Sequence, residues 1–406
     1  MQKHWLSGLP AFVLLLALAP PAAAAEKHYD PGVTDTEITL GQTMPYSGPA
    51  SAYGTIGKAE TAYFKMINEQ GGVNGRKIKL ISLDDGYSPP KTVAQTRKLV
   101  EEENVLADFG PLGTPPNSAI QKYLNQKKVP QLFVATGATK WGDPEHFPWT
   151  IGWQPTYQTE GHIFAKYILD HVKDAKIGVV YQNDDYGKDY LKGLKDGLGD
   201  KAAKLIVTEV SYETTDPTVD SQIVSLQSSG ANVLYNVSTP KFAAQAIRKT
   251  YDIGWKPVQL LNSVSSSVAA VLTPAGLEKS IGVFTLLYAK DPTDPQFQND
   301  KSYKDWAAWM KKYYPEGDLA DASNVYGYNV AMTVVQVLKQ CGDNLTRENI
   351  MKQAASLDFE DGVYLPGVRV KTSATDFYPI EQLRMMKFDG ERWQFFGDLM
   401  DSHAEK

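Results

Sequence analysis

The chain has 406 residues with 41 Lys and Arg against 47 Asp and Glu, which gives a formal net charge of -6 at pH 7. This mildly acidic balance, without a basic cluster, argues against nucleic acid or an anionic membrane as a partner. The length exceeds what one hydrophobic core usually serves and predicts two domains, and the single cysteine, Cys341, excludes an internal disulfide and a thiolate metal site.

The N-terminus has the pattern of a secretory signal peptide over residues 1–25. Lys3 precedes an apolar core at residues 9–19, and the alanines at residues 22–25 offer small-residue cleavage sites. Beyond this segment, no window approaches the ~20 continuous apolar residues that a membrane span requires. We therefore expect a protein that is exported to the periplasm through a cleaved signal.

Strands and helices are predicted to alternate along the remaining chain. Apolar residues recur at helical spacing within residues 59–67 and 163–171, and a further helix is predicted after Pro89-Pro90. Strands are predicted at residues 37–40, 78–83, 105–109, 132–135, 177–181, 205–210, 233–237, 258–261 and 283–288. This alternation predicts an α/β fold in which helices cover both faces of parallel sheets.

The two halves of the chain repeat each other. A Tyr-Gly pair follows the first strand of each half, and a Thr-Pro pair follows a later strand. The matching pairs are Tyr53-Gly54 with Tyr186-Gly187, and Thr114-Pro115 with Thr239-Pro240. Similar order in both halves predicts a duplicated lobe.

The repeated positions Tyr53, Thr114, Tyr186 and Thr239 lie in loops after strands, where open parallel sheets bind their ligands. The loop at residues 43–54 is uncharged, as the wall of a ligand cleft would be. Thr before Pro is also a favourable helix N-cap, so a structural role remains open for both threonines. The same helix ends present N–H groups that suit an anion.

A turn of small residues, "ATGAT" at residues 135–139, follows another predicted strand. Gly137 permits close backbone approach, and Thr139 supplies a hydroxyl. A plain tight connection is the alternative interpretation. Small residues, hydroxyls and backbone amides of this kind can hold a carboxylate without a charged partner.

Five motifs in order carry a family resemblance: "GQTMPYSGPASAYG", "INEQGGVNGRKIKL", "GPLGT", "FVATGAT" and "VVYQNDDYGKD". Through them the chain resembles the periplasmic solute-binding proteins of the leucine/isoleucine/valine-binding type, which serve ABC importers. The resemblance implies the type I periplasmic binding fold, in which two Rossmann-like lobes with parallel sheets are joined by three crossover hinges. The implied lobes are residues 26–153 plus 286–376, and residues 154–285 plus 377–406.

The resemblance also implies which residues contact the ligand. They are Thr114, Gly137, Ala138, Thr139, Tyr186 and Tyr326, with Tyr328 as an equal alternative to Tyr326. The first four would hold a carboxylate, and the tyrosines would cover the ligand. Tyr53 and Thr239 complete the set of candidate binding residues.

The expected ligand is a small carboxylate, either a branched-chain amino acid or an aromatic acid. Amino-acid binders of this type grip the ammonium with an acid of the second lobe, but the corresponding residues 260–272 contain no carboxylate. An unpaired buried ammonium is costly, whereas the candidate tyrosines suit an aromatic ring. The sequence thus favours an amine-free aromatic carboxylate over leucine or valine. In the alternative, Asp184 or Asp185 reaches an ammonium.

Enzyme motifs are incomplete in this sequence. The triplet at residues 108–110 lacks the other kinase motifs, G-x-S-x-G and H-E-x-x-H are absent, and the histidines lack ligand spacing. The pairs Asp84-Asp85 and Asp184-Asp185 are interpreted as solvated loop acids. We expect a monomeric binding protein, not an enzyme, without cofactor or metal, that works with the membrane permease of an ABC importer. A periplasmic sensor that regulates a partner is the alternative.

Overall fold

The strands form two main sheets, one for each half of the chain. The computed structural model describes Met1 and residues 27–401, so the predicted signal peptide lies outside the described residues except for Met1. The strands are β1 (His28–Tyr29), β2 (Glu37–Met44), β3 (Lys77–Asp84), β4 (Asp108–Phe109), β5 (Gln131–Leu132), β6 (Ile177–Gln182), β7 (Ile206–Tyr212), β8 (Val233–Val237), β9 (Val258–Leu261), β10 (Phe284–Leu287), β11 (Asn344–Leu345), β12 (Asp358–Phe359), β13 (Val370–Lys371), β14 (Gln382–Phe388), β15 (Trp393–Phe395) and β16 (Met400–Asp401).

Helices cover the faces of these sheets. They are α1 (Gly54–Glu69), α2 (Pro89–Glu101), α3 (Thr114–Lys127), α4 (Tyr157–His171), α5 (Asp185–Leu198), α6 (Ala202–Leu205), α7 (Asp220–Ser228), α8 (Pro240–Asp252), α9 (Thr273–Ala275), α10 (Lys301–Tyr313), α11 (Ala322–Cys341) and α12 (Arg347–Ala354). Short 3-10 turns occur at Ser51–Tyr53, Thr139–Gly142, Gly199–Lys201, Ser263–Ser265 and Pro295–Phe297, and a π-turn at Val268–Leu272. Within residues 27–401, no helix is long and apolar enough to cross a membrane.

Both sheets have the same strand order. The first is β3-β2-β4-β5, and the second contains the corresponding run β7-β6-β8-β9, followed by β10, β14 and β15. All pairs within these two four-strand runs, and the pair β9 with β10, are parallel. The predicted α/β fold is therefore confirmed, and the shared order agrees with the predicted duplication of the lobe.

The far edge of the second sheet is antiparallel, which the sequence did not predict. β14 runs antiparallel to β10, and both β15 and β16 run antiparallel to β14. These strands lie in residues 382–401, where strand and helix no longer alternate. An antiparallel pair needs only a short turn between its strands, so this region lacks the helical pattern that indicated the other strands.

Two strands of the first sheet are shorter than predicted. The segment predicted at residues 105–109 is a strand only at β4. Of the segment predicted at residues 132–135, only Leu132 lies in a strand, as the last residue of β5. Phe133 has a φ of 53°, in the left-handed region. Extended backbone cannot continue through such a residue, so the chain leaves the sheet there.

After β10, the chain returns to the first lobe and forms α10 to α12. β10 lies wholly within the second sheet, so the predicted limit between residues 285 and 286 falls inside this strand. Trp306 and Trp309 on α10 are core residues, 0% and 4% exposed. The Trp309 ring lies 6.2 Å from that of Tyr63 on α1, which attaches this segment to the first lobe.

Helices α4 and α5 of the second lobe approach each other through glycines. A Cβ atom on Gly161 of α4 would lie 2.4 Å from the backbone nitrogen of Leu194. A Cβ atom on Gly193 of α5 would lie 2.4 Å from Cα of Gln158. Neither contact leaves room for a side chain. The glycines therefore set the spacing of two helices that both begin at the cleft between the lobes.

We expect Gly193→Ala to destabilise the protein, although Ala is the better helix former by up to about 1 kcal/mol. The added methyl group would force α4 and α5 apart, and overpacking of this kind costs about 1–3 kcal/mol. Urea unfolding measures the change. As a control, Lys188→Ala on the exposed side of α5 should stay within about 0.5 kcal/mol of the parent. Equal or greater stability of Gly193→Ala would contradict the close helix contact.

Candidate ligand-binding site

A cavity of about 100 Å³ lies between the two sheets, where the loops of both lobes meet. Apolar side chains form much of its wall, including Ile56, Leu112, Val264, Leu287 and Val325. The cavity is therefore largely apolar and is built from both halves of the chain.

Five predicted binding residues line this cavity: Tyr53, Thr114, Tyr186, Thr239 and Tyr326. The other three predicted residues, Gly137, Ala138 and Thr139, are not part of its wall, although Ala135 at the start of the same turn is. The loops with the five predicted residues thus meet at the cavity. The turn at residues 135–139 contributes Ala135 to the wall, but not the three residues that were predicted.

Tyr53 forms part of the first-lobe wall and reaches the second lobe. It ends the 3-10 turn at Ser51–Tyr53, directly before α1, and its side chain is 9% exposed. Its hydroxyl donates to the carbonyl oxygen of Val264 at 3.1 Å. The uncharged loop before Tyr53 can therefore lie against the opposite lobe without burying an unpaired charge.

Tyr87 is a wall residue that the sequence analysis missed as a site. Its φ of 61° is unusual for a residue with a side chain, and its N–H donates to Oδ1 of Asp85 at 2.9 Å. A Cβ atom on Gly113 would lie 2.4 Å from Cε2 of Tyr87, so the ring rests against that glycine. The turn thus holds Tyr87 against the cavity. The available signal was its place in a stretch, "YSPPKTVAQTRKLV" from Tyr87, that "YETTDPTVDSQIVSLQ" from Tyr212 repeats in the second half.

Asp85 corrects the interpretation of Asp84-Asp85 as solvated acids. Asp85 is fully buried, and its Oδ2 accepts from the hydroxyl of Thr92 at 2.7 Å. Burial raises the pKa of Asp85. Asp84 instead pairs with Lys91 at 2.7 Å. The two carboxylates have separate structural roles, and neither lines the cavity.

The two Thr-Pro pairs begin helices in different ways. Gly113, with a φ of 98°, is the N-cap of α3, so Thr114 is a helical residue and its N-cap interpretation is wrong. Thr239 is the N-cap of α8, but its side chain makes no capping hydrogen bond. Oγ1 of Thr114 lies 2.5 Å from Oγ1 of Thr136, and Oγ1 of Thr239 donates to Gln182 at 3.3 Å. Both hydroxyls are therefore held next to the cavity by other side chains.

Thr139 connects the lobes. Its N–H and its hydroxyl both donate to Oδ2 of Asp189 on α5, at 2.8 and 3.0 Å. Its carbonyl oxygen accepts from the hydroxyl of Tyr378 at 2.7 Å, near the third predicted hinge. A second contact between the lobes joins the hydroxyl of Ser267 to Asp321 at 2.9 Å. The bonds of Thr139 join the lobes away from the cavity wall, and the bond of Ser267 joins them at the wall itself.

The second-lobe wall is organised around Tyr186 in the first turn of α5. Asp184 is the N-cap of this helix and accepts from the N–H groups of Tyr186 and Gly187 at 3.0 and 3.3 Å. The ring of Tyr157 lies edge-on to that of Tyr186, at 5.4 Å, and stacks on Tyr190 at 4.2 Å. Tyr157 also lines the cavity and was not predicted. Its place before a helical stripe carried no sign of that role.

Tyr326, rather than Tyr328, lines the cavity. The hydroxyl of Tyr326 donates to Oε1 of Gln154 at 3.0 Å, next to the first predicted hinge. Tyr328 packs edge-on against Tyr63, with ring centroids 5.0 Å apart, inside the first lobe. The two alternatives left by the sequence therefore have different positions.

The cavity wall contains no carboxylate among the residues that the structure describes. Lys290 is a charged wall residue, and its ammonium is paired with Asp300 at 2.7 Å and bonded to Ser302 at 2.9 Å. Burial raises the pKa values of Tyr53 and Tyr186 well above the ordinary range, so both remain neutral donors. The polar groups that face a ligand are therefore mostly neutral.

A serine-rich loop after β9 provides further polar groups. Ser263, Ser266 and Ser267 line the cavity. These serines were not among the predicted binding residues. The run of serines directly after a predicted strand was a signal for wall residues with hydroxyl groups.

Comparisons with known proteins agree with the family resemblance that the five sequence motifs indicated. A family model for periplasmic binding proteins matches residues 37–392. Leu/Ile/Val-binding protein homolog 1 of Brucella melitensis is 28% identical over 327 residues, which cover 77% of this chain and 81% of that protein.

Two solved structures have a similar fold. The fatty acid ABC transporter substrate-binding protein from Thermomonospora curvata has a TM-score of 0.78 and 25% identity, covering 92% of this chain and 95% of that one. A branched chain amino acid ABC transporter from Thermus thermophilus with bound valine has a TM-score of 0.81 and 16% identity, covering 91% and 97%. The chain belongs to the periplasmic binding protein family, of the type I, leucine/isoleucine/valine-binding type.

Proposed function

We propose that this protein captures a small carboxylate between its two lobes and delivers it to the membrane permease of an ABC importer. The observation that carries this proposal is the largely apolar cavity between the lobes, which both halves of the chain line. The family implies an extracytoplasmic location. Export through a cleaved signal to the periplasm, and action as a monomer, are parts of the proposal.

The ligand that we propose is an amine-free carboxylate, an aromatic acid above all. An ammonium in a closed cavity needs acceptors, and leaving it unpaired is costly. The carboxylate of Asp184 caps the N-terminus of α5, and neither Asp184 nor Asp185 is a wall residue. Tyr53, Tyr87 and Tyr186 supply aromatic faces instead. These contacts favour a ring over the side chain and ammonium of leucine or valine.

The carboxylate would be held by neutral donors near Thr114. Pro115 and Pro116 follow at the start of α3 and carry no N–H. The N–H and hydroxyl of Thr114 are therefore what this helix end offers to an anion, assisted by the helix dipole. We retain Gly137, Ala138 and Thr139 as second candidates, because opening of the lobes would free Thr139 from Asp189.

A ligand panel tests this proposed class. We expect benzoates or phenylpropenoates to raise the melting temperature and leucine or valine to leave it unchanged. Ligand at a hundred times its dissociation constant adds about 2.7 kcal/mol to the folded state, which is a measurable shift. If leucine or valine stabilises the protein while aromatic acids do not, the amine-free class is wrong. A periplasmic sensor would bind the same ligands, so uptake by cells that lack the protein distinguishes transport from sensing.

Paired threonine variants test the anion site. Thr114→Val removes a donor from the cavity wall, and we expect it to weaken binding by about tenfold or more, since a hydrogen bond to a charged group contributes about 1.5–3 kcal/mol. Thr139→Val keeps the N–H bond to Asp189 and should weaken binding less. Titration calorimetry measures both. A larger loss for Thr139→Val than for Thr114→Val would move the carboxylate to the turn.

Closure can be followed by small-angle X-ray scattering. We expect a saturating ligand to reduce the radius of gyration, because the lobes meet over the ligand through hinges. Asp189→Ala removes both acceptor bonds to Thr139, so the unliganded variant should be more expanded than the parent. Lys188→Ala on the same helix is the matched control. Identical profiles for all samples would contradict hinge closure.

A further inference from the structure

Glu160 on α4 is a buried acid directly beneath the cavity wall, and the proposed function does not use it. It is 1% exposed and is not itself a wall residue. Its Oε1 accepts from the hydroxyl of Ser263 at 2.5 Å, and its Oε2 accepts from the N–H of Ser263 at 3.0 Å. The hydroxyl of Tyr190 donates to Oε1 at 3.0 Å. A carboxyl group below the wall therefore fixes a residue that lines the cavity.

Among residues 27–401, the surroundings of Glu160 contain other titratable groups but no partner cation. Its charge acts on Tyr157 of α4, Tyr190 of α5, Tyr235 of β8 and Tyr288 after β10. Asp189 of α5 acts on Tyr157 and Tyr235 as well. Burial raises the pKa of Glu160 to about 7, while the bonds from Ser263 and Tyr190 favour the ionised form.

These bonds give the second-lobe wall a defined hydrogen-bond polarity. The hydroxyl proton of Ser263 is directed to Glu160, so this hydroxyl has only lone pairs left for a ligand. Tyr186 has the opposite arrangement, because Nδ2 of Asn262 donates to its hydroxyl oxygen and leaves the phenolic proton free. At these two positions the wall offers a ligand an acceptor, Ser263, and a donor, Tyr186.

We propose that Ser263 and Tyr186 select a ligand with a hydroxyl group, and that Glu160 is the positioning residue that makes Ser263 an acceptor. A hydroxyl both donates and accepts, so it matches this pair. An ammonium has no lone pair for Tyr186, and a bare ring would leave both groups without a partner. This inference rests on the proposed function and narrows its ligand class to hydroxylated aromatic carboxylates.

Matched ligands test the selection. Each hydroxybenzoate and hydroxyphenylpropenoate is compared with the isostere in which a methyl group replaces the hydroxyl, by titration calorimetry. We expect the best hydroxylated ligand to bind about tenfold more tightly than its methyl isostere, as one neutral hydrogen bond to a buried acceptor suggests. Equal binding of the two would contradict the proposed preference for a hydroxyl group, while it would not contradict the aromatic ligand class. Binding of leucine or valine alone would overturn the selection and the proposed class together.

Variants test whether Glu160 positions the hydroxyl of Ser263 or only supports the structure of the second lobe. In Ser263→Ala and in Glu160→Gln, we expect the preference for the hydroxylated ligand to fall below about threefold while binding of the methyl isostere is retained. Glu60→Gln is the matched control, because Glu60 is also a fully buried glutamate but lies on α1 of the first lobe and is not a wall residue. It should keep the tenfold preference. Equal weakening of both ligands in the Ser263 and Glu160 variants would make Glu160 merely structural and would overturn its assignment.

The pH profile of the unmodified protein is a readout that needs no variant. Protonation of Glu160 below its raised pKa of about 7 adds a donor at this carboxyl and frees Ser263 to turn its proton toward the cavity. The preference for the hydroxylated ligand should therefore decrease from about pH 8.5 to about pH 5.5, a range in which the ligand carboxylate stays ionised. A preference that stays constant over this range would contradict the role of Glu160.

Discussion

The close contact between α4 and α5 is the constraint on which the second-lobe side of the cavity depends. Because Gly161 and Gly193 leave no side chain between the helices, their first turns lie side by side at the cleft. This spacing allows Tyr157 to stack on the neighbouring helix and allows Tyr186 to meet it edge-on. The two glycines thus determine how the rings of Tyr157 and Tyr186 are arranged in the cavity wall.

The side chains that face the cavity are mostly uncharged. Acids near the cleft are used elsewhere: Asp184 caps α5, Asp85 orders the turn before α2, and Glu160 binds the serine loop. The lysine of the wall has its own partner in Asp300. A ligand that carries one negative charge would meet hydroxyls and aromatic faces rather than an ion pair. Such a site gains its selectivity from the direction of its hydrogen bonds, which a mobile charged side chain would not define as well.

Much of the fold could be predicted from the sequence, because strand–helix alternation and the repeated motifs depend on local patterns. The loops with Tyr53, Thr114, Tyr186, Thr239 and Tyr326 could also be found, since they follow strands that point to one edge. The antiparallel β14 to β16 could not, because no helical stripe separates them. Tyr157 and Glu160 were missed for a related reason. Their positions depend on which helix lies beside α4, and neighbouring residues in the sequence do not contain that information.

The bonds between the lobes have a consequence for the timing of ligand exchange. The bond between Thr139 and Asp189 involves no residue of the cavity wall, whereas Ser267, which bonds Asp321, is a wall residue. Each bond must break before a captured molecule can leave, so the lobes' own contacts lengthen its residence time. The same contacts reduce the fraction of empty protein that is open to capture, and apparent affinity falls with that fraction. If the protein carries its ligand to a permease, as we propose, these contacts slow its loading and lower the chance that the ligand is lost before it reaches the membrane.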